Sequence, residues 1–323
     1  MRRLAITGAA GKIGSALSFS IGAGHLFGPE TEVSLRLIDV PGTEKILEAL
    51  TFELGDGNLR CLKEVHITTS YEDGFRGAEW VILVGGSARS RPGMTRADLL
   101  VSNGKTFADQ GHAIERFADP SVRILVVANP CNTNAWMGLQ ATPSIPKDRW
   151  LALSRLDENR ARHQVAKRLK TSFDDFEDII VWGNHSPRMY PDVSSARWEG
   201  KRLTDLLSPD WIRNELVSTV RGRADTLLSL RGYDSLHSVV IAIIDTIRDL
   251  EDPRGGFHSV GVYTDGQHGI KGDLIFSMPT RIRNGQLEVA ENWVHSAEAT
   301  KILEENIQEL EKEKEVARRL LES

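Results

Sequence analysis

Two segments hold residue types that together could exchange a proton with a hydroxyl or carbonyl oxygen: Arg155-Leu156-Asp157-Glu158-Asn159-Arg160 and Gly183-Asn184-His185-Ser186. Oxidising a secondary alcohol, or reducing the matching carbonyl, needs a group that takes or gives the hydroxyl proton. A neutral imidazole has a suitable pKa. A carboxylate on its other ring nitrogen fixes the tautomer and stabilises the imidazolium. An arginine can hold a substrate carboxylate through two parallel hydrogen bonds. His185, Asp157 and Arg160 are the candidates for these three roles. Taken singly each has a plain structural explanation, since an Asp–Arg pair on a helix or a histidine after a strand is most often a satisfied polar group. A third segment, Asn129-Pro130-Cys131-Asn132-Thr133-Asn134, follows an apolar run at residues 124–128. In a parallel sheet, ligands collect at the carboxyl ends of strands, which makes this segment a candidate ligand contact.

Near the N-terminus, Gly8-Ala9-Ala10-Gly11-Lys12-Ile13-Gly14 follows one apolar run and opens an amphipathic one. The spacing is G-x-x-G-x-x-G. Small residues there let the backbone approach a pyrophosphate, and a helix N-terminus offers N–H groups and partial positive charge. Gly8, Gly11, Lys12, Ile13 and Gly14 are the candidate phosphate contacts. Asp39 closes the next apolar run, Leu35-Arg36-Leu37-Ile38. An acidic residue at that place can accept hydrogen bonds from an adenosine ribose and repels a 2′-phosphate. The pair of features points to NAD rather than NADP, although Arg36 stands close by.

These residues need a scaffold. Residues 3–6, 32–38, 65–68, 80–84 and 124–128 read as strands, and 14–21, 44–54 and 95–115 as helices between them. Strands interleaved with helices imply right-handed crossovers and a doubly wound parallel sheet. The breaker Pro143-Ser144-Ile145-Pro146 marks a boundary, giving domains at 1–153 and 154–323. In the second, helices are expected at 160–169, 210–228 and 235–250 and a short strand at 179–182. A turn is expected at Gly232. Residues 260–263, 274–279 and 281–289 read as antiparallel strands, with a hairpin signal at Asn284-Gly285. Residues 295–321 read as a charged, solvated surface helix with one apolar stripe.

Composition agrees with an ordinary globular enzyme-sized chain of 323 residues, 40% apolar and 26% charged. The net charge of −5 argues against nucleic acid or membrane surfaces as partners. No apolar run approaches the roughly 18 residues of a membrane span, and the N-terminus lacks the apolar core of a signal peptide. Two cysteines, Cys61 and Cys131, fit a reducing cytoplasm. No metal-ligand cluster is visible.

The motifs resemble the malate dehydrogenase branch of the lactate/malate dehydrogenase family, closest to its cytosolic-type members. The matching segments are residues 7–14, Gly93-Met94-Thr95-Arg96-Ala97-Asp98-Leu99-Leu100, 129–134, 155–160, 183–186 and Tyr190-Pro191-Asp192-Val193. The likeness runs from about residue 3 to about 320. It implies an α/β architecture, with an N-terminal Rossmann domain binding NAD, a mixed α+β catalytic domain, and a homodimer. By resemblance His185 exchanges the proton with Asp157 as its partner, Arg160 holds the 2-oxo acid carboxylate, and Arg96 belongs to a closing loop. Asn129 contacts substrate, and Gly8, Gly11, Gly14, Asp39, Asn103 and Gln110 serve the cofactor.

One stretch departs from the family. Three residues before Gly93, malate dehydrogenases keep an arginine for the distal carboxylate of oxaloacetate. Here Ser87-Ala88-Arg89-Ser90-Arg91-Pro92 puts Ser90 at that position, between Arg89 and Arg91. Arg188 stands where the family has a small polar residue. Arg231-Gly232 lies near a two-residue insertion, and Tyr233-Asp234-Ser235 replaces small residues. Together these suggest a reshaped, more basic pocket. A serine leaves room and a hydroxyl donor, which suits a tetrahedral oxyanion better than a planar carboxylate. The leading expectation is an oxaloacetate analogue such as 3-phosphonopyruvate, reduced to phosphonolactate in phosphonate metabolism. The alternatives are ordinary malate/oxaloacetate chemistry and, from another class, a non-catalytic nucleotide-binding protein.

Overall fold

The structure is a computed structural model that describes residues 1–86, 96–252 and 256–322, without the side chains of Arg96, Ala97 and Gly104. Ser90, Arg89 and Arg91 therefore lie outside the described residues. The chain divides into two compact units, Met1–Ala152 with Lys312–Ser323, and Leu153–Glu311. The division falls beside the boundary expected from sequence. The terminal segment Lys312–Ser323, which we expected in the second domain, belongs to the first unit.

The first unit is built on six parallel strands, β1 (Arg2–Thr7), β2 (Val33–Ile38), β3 (Leu62–Thr68), β4 (Trp80–Leu83), β5 (Arg123–Val126) and β6 (Trp150–Leu153). Their spatial order is β6-β5-β4-β1-β2-β3. Between them run α1 (Lys12–Gly22), α2 (Glu44–Asp56), α3 (Tyr71–Phe75), α4 (Arg96–Phe117) and α5 (Cys131–Gln140). Leu4, Ala5, Ile6 and all of β4 are buried, as expected of strands covered by helices on both faces. The order of strands reverses between β1 and β4, the place where open α/β sheets bind ligands. There the backbones after the two strands nearly touch. A Cβ on Gly8, whose φ is +67°, would sit 2.5 Å from the Gly85 Cα, and one on Gly85 would sit 2.8 Å from the Gly8 nitrogen. Only glycine fits at either position.

The second unit begins with α6 (Arg155–Leu169) and continues through short strands β7 (Phe176–Glu177), β8 (Ile180–Trp182), β9 (Tyr190–Asp192), β10 (Arg197–Trp198) and β11 (Lys201–Arg202). Helical turns α7 (Leu203–Leu206) and α8 (Pro209–Trp211) and a π segment at Ile212–Val217 lead into α9 (Ser218–Arg231). Next come α10 (His237–Glu251), the antiparallel strands β12 (His258–Tyr263), β13 (Ile275–Arg283) and β14 (Gln286–Val289), and α11 (Ala297–Glu322). α11 ends in the segment that belongs to the first unit. One core of the second unit gathers Ala161 and Val165 of α6 with Val181, Met189, Val193, Leu203, Leu216 and Val220.

Three local details refine the sequence expectations. α6 starts at Arg155, not at residue 160, because its first turn buries charged residues that a hydrophobic pattern assigns to solvent. Its N-terminal turn carries Asp157 and Glu158 and its last turn Lys167 and Arg168, which suits the helix dipole. The strands expected at 274–279 and 281–289 are instead β13, continuous through Pro279, and β14. Asn284-Gly285 lies between them, both residues at positive φ (52° and 77°) as a tight hairpin turn requires. Pro279 lacks a donor, yet its carbonyl still accepts from the Ala290 N–H at 3.0 Å. Gly232 does close α9, at φ +76°.

Candidate active site

Asp157 and Arg160 are three residues apart on α6, so they share one face of the helix. His185 follows β8 in the loop before β9. Its Nδ1 lies 2.5 Å from Asp157 Oδ2. Asp157 is 1% exposed and the His185 ring 20%. Burial would by itself raise the Asp157 carboxyl, but His185 and Arg160 more than offset it and hold its pKa below the ordinary value. An ionised carboxylate can only accept a hydrogen bond. The Nδ1 therefore carries the proton, and Nε2 is the nitrogen that could exchange one with a substrate oxygen.

Arg160 completes the group. Its Nη1 donates to Asp157 Oδ1 at 2.8 Å, and its Nη2 donates to Ser235 Oγ at 2.9 Å. Two of its five N–H groups are thus engaged among the described residues. Ser235, buried at 8% exposure, is the member of the reshaped segment that the structure brings to this arginine. The expectation of a more basic pocket does not extend to the other two cations. Arg188 pairs with carboxylates of α11, Glu305 at 3.2 Å and Glu309 at 3.6 Å. Arg231 donates to the carbonyls of Tyr233 and Asp234 and stacks over the Tyr233 ring, holding its own turn.

Elsewhere on α6 lies a second charged cluster that the sequence did not announce. Glu158, with no exposed surface, accepts from the Ser259 N–H at 2.6 Å, meets His258 at 3.0 Å and lies near Arg155 and Arg162. Burial opposes its charge, yet Arg155, His258 and Arg162 hold its pKa far below the ordinary value. Arg155 also reaches Asp249 at 2.6 Å, and Asn159 donates to Asp245. These bonds tie α6 to α10 and β12, which fixes the helix on which Asp157 and Arg160 stand.

In the first unit, the glycine loop opens α1 with no side-chain cap on its N-terminus among the described residues. A Cβ on Gly14 would fall 2.4 Å from the Gly8 carbonyl oxygen, so glycine there lets the helix press against the loop. Gly11 and Lys12 are exposed and Ile13 is half-buried. Asp39 ends at the same loop: one carboxylate oxygen accepts from the Ala10 N–H and the other from the Val40 N–H, each at 2.8 Å. Asn103 is buried on α4 and donates to the Asn129 carbonyl at 3.1 Å. Gln110 is buried too. Its Nε2 donates to the Tyr71 hydroxyl at 3.4 Å, while its Oε1 is a buried acceptor with no partner among the described residues. Burial pushes the Tyr71 phenol up, and Asp109 and Asp39 add to this. An uncapped helix N-terminus behind small residues, with a carboxylate at the rim, fits a dinucleotide. Gly85-Gly86 belongs to this cradle and is absent from the sequence expectations. The signal was present, since a glycine pair directly after an apolar strand marks a close backbone approach.

Comparison with known proteins agrees with both halves. Residues 2–150 match the family model of the lactate/malate dehydrogenase NAD binding domain, and residues 154–320 match that of the lactate/malate dehydrogenase alpha/beta C-terminal domain. The malate dehydrogenase of Rubrobacter xylanophilus is 38% identical over 320 residues, covering 99% of this chain and 98% of that protein. The cytoplasmic malate dehydrogenase of Felis catus is 39% identical over 329 residues, covering 99% and 98%. Among solved structures, the lactate dehydrogenase of Trichomonas vaginalis in complex with NADH and oxamate superposes with a TM-score of 0.95 at 33% identity, covering 99% of each chain. The chain belongs to the lactate/malate dehydrogenase family and is an NAD-dependent oxidoreductase acting on CH–OH groups.

Proposed function

We propose that this dehydrogenase reduces a small 2-oxo acid bearing a second anionic group to the 2-hydroxy acid. The observation that carries the reading is the His185–Asp157–Arg160 group. Arg160 binds the substrate carboxylate through N–H groups not engaged by Asp157 or Ser235. Bound NADH supplies the hydride to the second carbon of the substrate. His185, protonated on both nitrogens, gives its Nε2 proton to the oxygen as negative charge develops there, and keeps its Nδ1–H on Asp157. In the reverse direction neutral His185 takes that proton back. In the first unit, Gly8, Gly11, Lys12, Ile13 and Gly14 hold the pyrophosphate and Asp39 the adenosine ribose. Asn103, Gln110 and Asn129 hold the rest of the cofactor, Asn129 touching substrate as well.

For the distal group we retain a tetrahedral oxyanion, with 3-phosphonopyruvate as the specific substrate and phosphonolactate as the product. Ser90 in place of the family arginine supports this. With Arg188 and Arg231 committed elsewhere, the distal charge falls to Arg96, Arg89 and Arg91. The malate dehydrogenases of similar sequence favour a second reading, oxaloacetate and malate. Proteins similar at this level differ in substrate, since the Trichomonas vaginalis protein is a lactate dehydrogenase. We further propose a homodimer, on the family resemblance, and a cytoplasmic location, supported by the two buried cysteines, Cys61 and Cys131, neither of which is in a disulfide. A net charge of −5 supports a small-molecule partner rather than nucleic acid or a membrane surface.

The test is NADH oxidation with oxaloacetate and 3-phosphonopyruvate side by side at matched concentrations. The expected result is a kcat/KM at least about tenfold higher for the phosphonate, the equivalent of about 1.4 kcal/mol of differential recognition. Oxaloacetate turnover in the efficient range of about 10⁶–10⁸ M⁻¹s⁻¹ would overturn the phosphonate reading and leave the malate reading standing.

A further inference from the structure

Asp157 holds the His185 ring by Nδ1. A ring anchored at that point can still swing if its backbone moves, and a displacement of about 1 Å at a reacting group can cost about 10²-fold in rate. Something must fix the loop itself.

Two residues of α11 do so from both sides of His185. Asn184 and Ser186, the neighbours of His185 in sequence, each donate a side-chain hydrogen bond to the same oxygen, Glu309 Oε2, at 2.9 and 2.5 Å. One turn earlier, Asn306 takes hold of the main chain. Its Oδ1 accepts from the Asn184 N–H at 3.0 Å, and its Nδ2 donates to the Arg188 carbonyl at 2.8 Å. Asn306 has no exposed surface, and Asn184 and Ser186 are 1% and 3% exposed. The approach is close enough to dictate the residue before Asn184. A Cβ on Gly183, whose φ is +100°, would lie 2.3 Å from Asn306 Oδ1. Arg188 then closes the arrangement over Glu309 and Glu305.

We propose that Glu309 and Asn306 are positioning residues for His185, acting through Asn184, Ser186 and the Arg188 carbonyl. The proposal rests on the reading of His185 as the proton-exchanging group. A carboxylate that merely stabilised the helix would not need to gather both flanking side chains of one histidine on a single oxygen. Arg188 acquires a role as well, since its guanidinium balances the charge of Glu309 and Glu305 rather than meeting substrate.

Three readouts test this in the full-length protein. Glu309→Ala should lower kcat by about tenfold to a hundredfold with KM for NADH unchanged, and should shift the pH at which kcat is half-maximal. Glu309→Gln, whose amide oxygen still accepts from Asn184 and Ser186, should restore most of kcat. In proton NMR, the far-downfield resonance of the His185 Nδ1–H on Asp157 should be sharp in the native protein and in Glu309→Gln, and broadened or lost in Glu309→Ala. Unchanged kcat, pH profile and resonance in Glu309→Ala would overturn the proposal. So would an equal loss in Glu309→Gln accompanied by early melting, which would mark a purely structural carboxylate. If Glu309→Ala does not fold, Ser186→Ala removes one of the two donors and is read in the same way. The resonance is independent of turnover, so it still tests the positioning should the native protein prove inactive on every 2-oxo acid, an outcome that would instead overturn the assignment of His185.

Discussion

Replacing His185 with Ala lowers kcat by at least about 10²–10⁴-fold, the usual contribution of a placed general acid–base, and leaves NADH affinity nearly intact. The expectation follows from the division of labour in the fold. His185 stands in the second unit on Asp157, while the glycine loop, Asp39, Asn103 and Gln110 stand in the first. Removing the imidazole takes away the proton that must reach the substrate oxygen and leaves the glycine loop and Asp39 unaltered in sequence. It also strips Asp157 of the partner that most lowers its pKa. A carboxylate buried to 1% exposure would then depend on Arg160 alone, so the variant's carboxyl should titrate at higher pH than in the native protein. Stopped-flow NADH fluorescence separates the two effects. Native turnover in His185→Ala would refute the assignment, and a parallel loss of NADH binding would show that the substitution acts through the fold.

The second large effect is expected at Arg160. Arg160→Gln should lower kcat/KM for the 2-oxo acid by about 30-fold to several thousandfold, the equivalent of about 2–5 kcal/mol for truncating one partner of a charged, hydrogen-bonded pair. Arg160→Lys should recover only part of this, because an ammonium cannot offer the planar pair of N–H groups that a carboxylate takes up. The pattern differs from that of His185→Ala. The guanidinium touches both Asp157 and Ser235, so Arg160 variants should raise KM for substrate and also shift the pH profile through Asp157. Ser235→Ala removes only the second contact and should leave the pH profile in place. Steady-state kinetics of the three variants over a pH series check this, and an unchanged KM in Arg160→Gln would contradict the assignment.

Much of this was legible in the residues themselves. The alternation of apolar runs and amphipathic segments in the first half follows from a parallel sheet whose strands are buried on both faces, and such strands announce themselves as continuous apolar runs. The glycine loop and Asp39 could be matched because close backbone approach admits no side chain, which leaves a mark in sequence. Helices with buried polar residues were harder. α5 buries nine of its ten residues, Asn132, Thr133 and Asn134 among them, and so has no amphipathic period to detect. The first turn of α6 fails the same test, since Arg155, Asp157 and Glu158 are inside. α11 shows the converse error. Its dense charge reads as a solvated face, yet Asn306 is fully buried, and together with Glu309 it reaches the loop of His185. Which of many surface carboxylates has a buried partner is decided by tertiary contact, which no local pattern encodes. Arg188 and Arg231 were attractive as pocket cations because an arginine without an assigned partner invites a ligand; the fold supplies the partners instead.

In the proposed reaction a hydride reaches the second carbon of a 2-oxo acid while the proton passes through His185. The most direct test is to run the reaction with NADH deuterated at the nicotinamide C4 and locate the label in the 2-hydroxy acid product by mass spectrometry and NMR. One deuterium is expected on the second carbon in the native protein, and no labelled product from His185→Ala over the same interval. A protein that binds NADH but yields no labelled product from oxaloacetate, 3-phosphonopyruvate or larger 2-oxo acids would contradict it, and would point to a nucleotide-binding relative that has lost the chemistry.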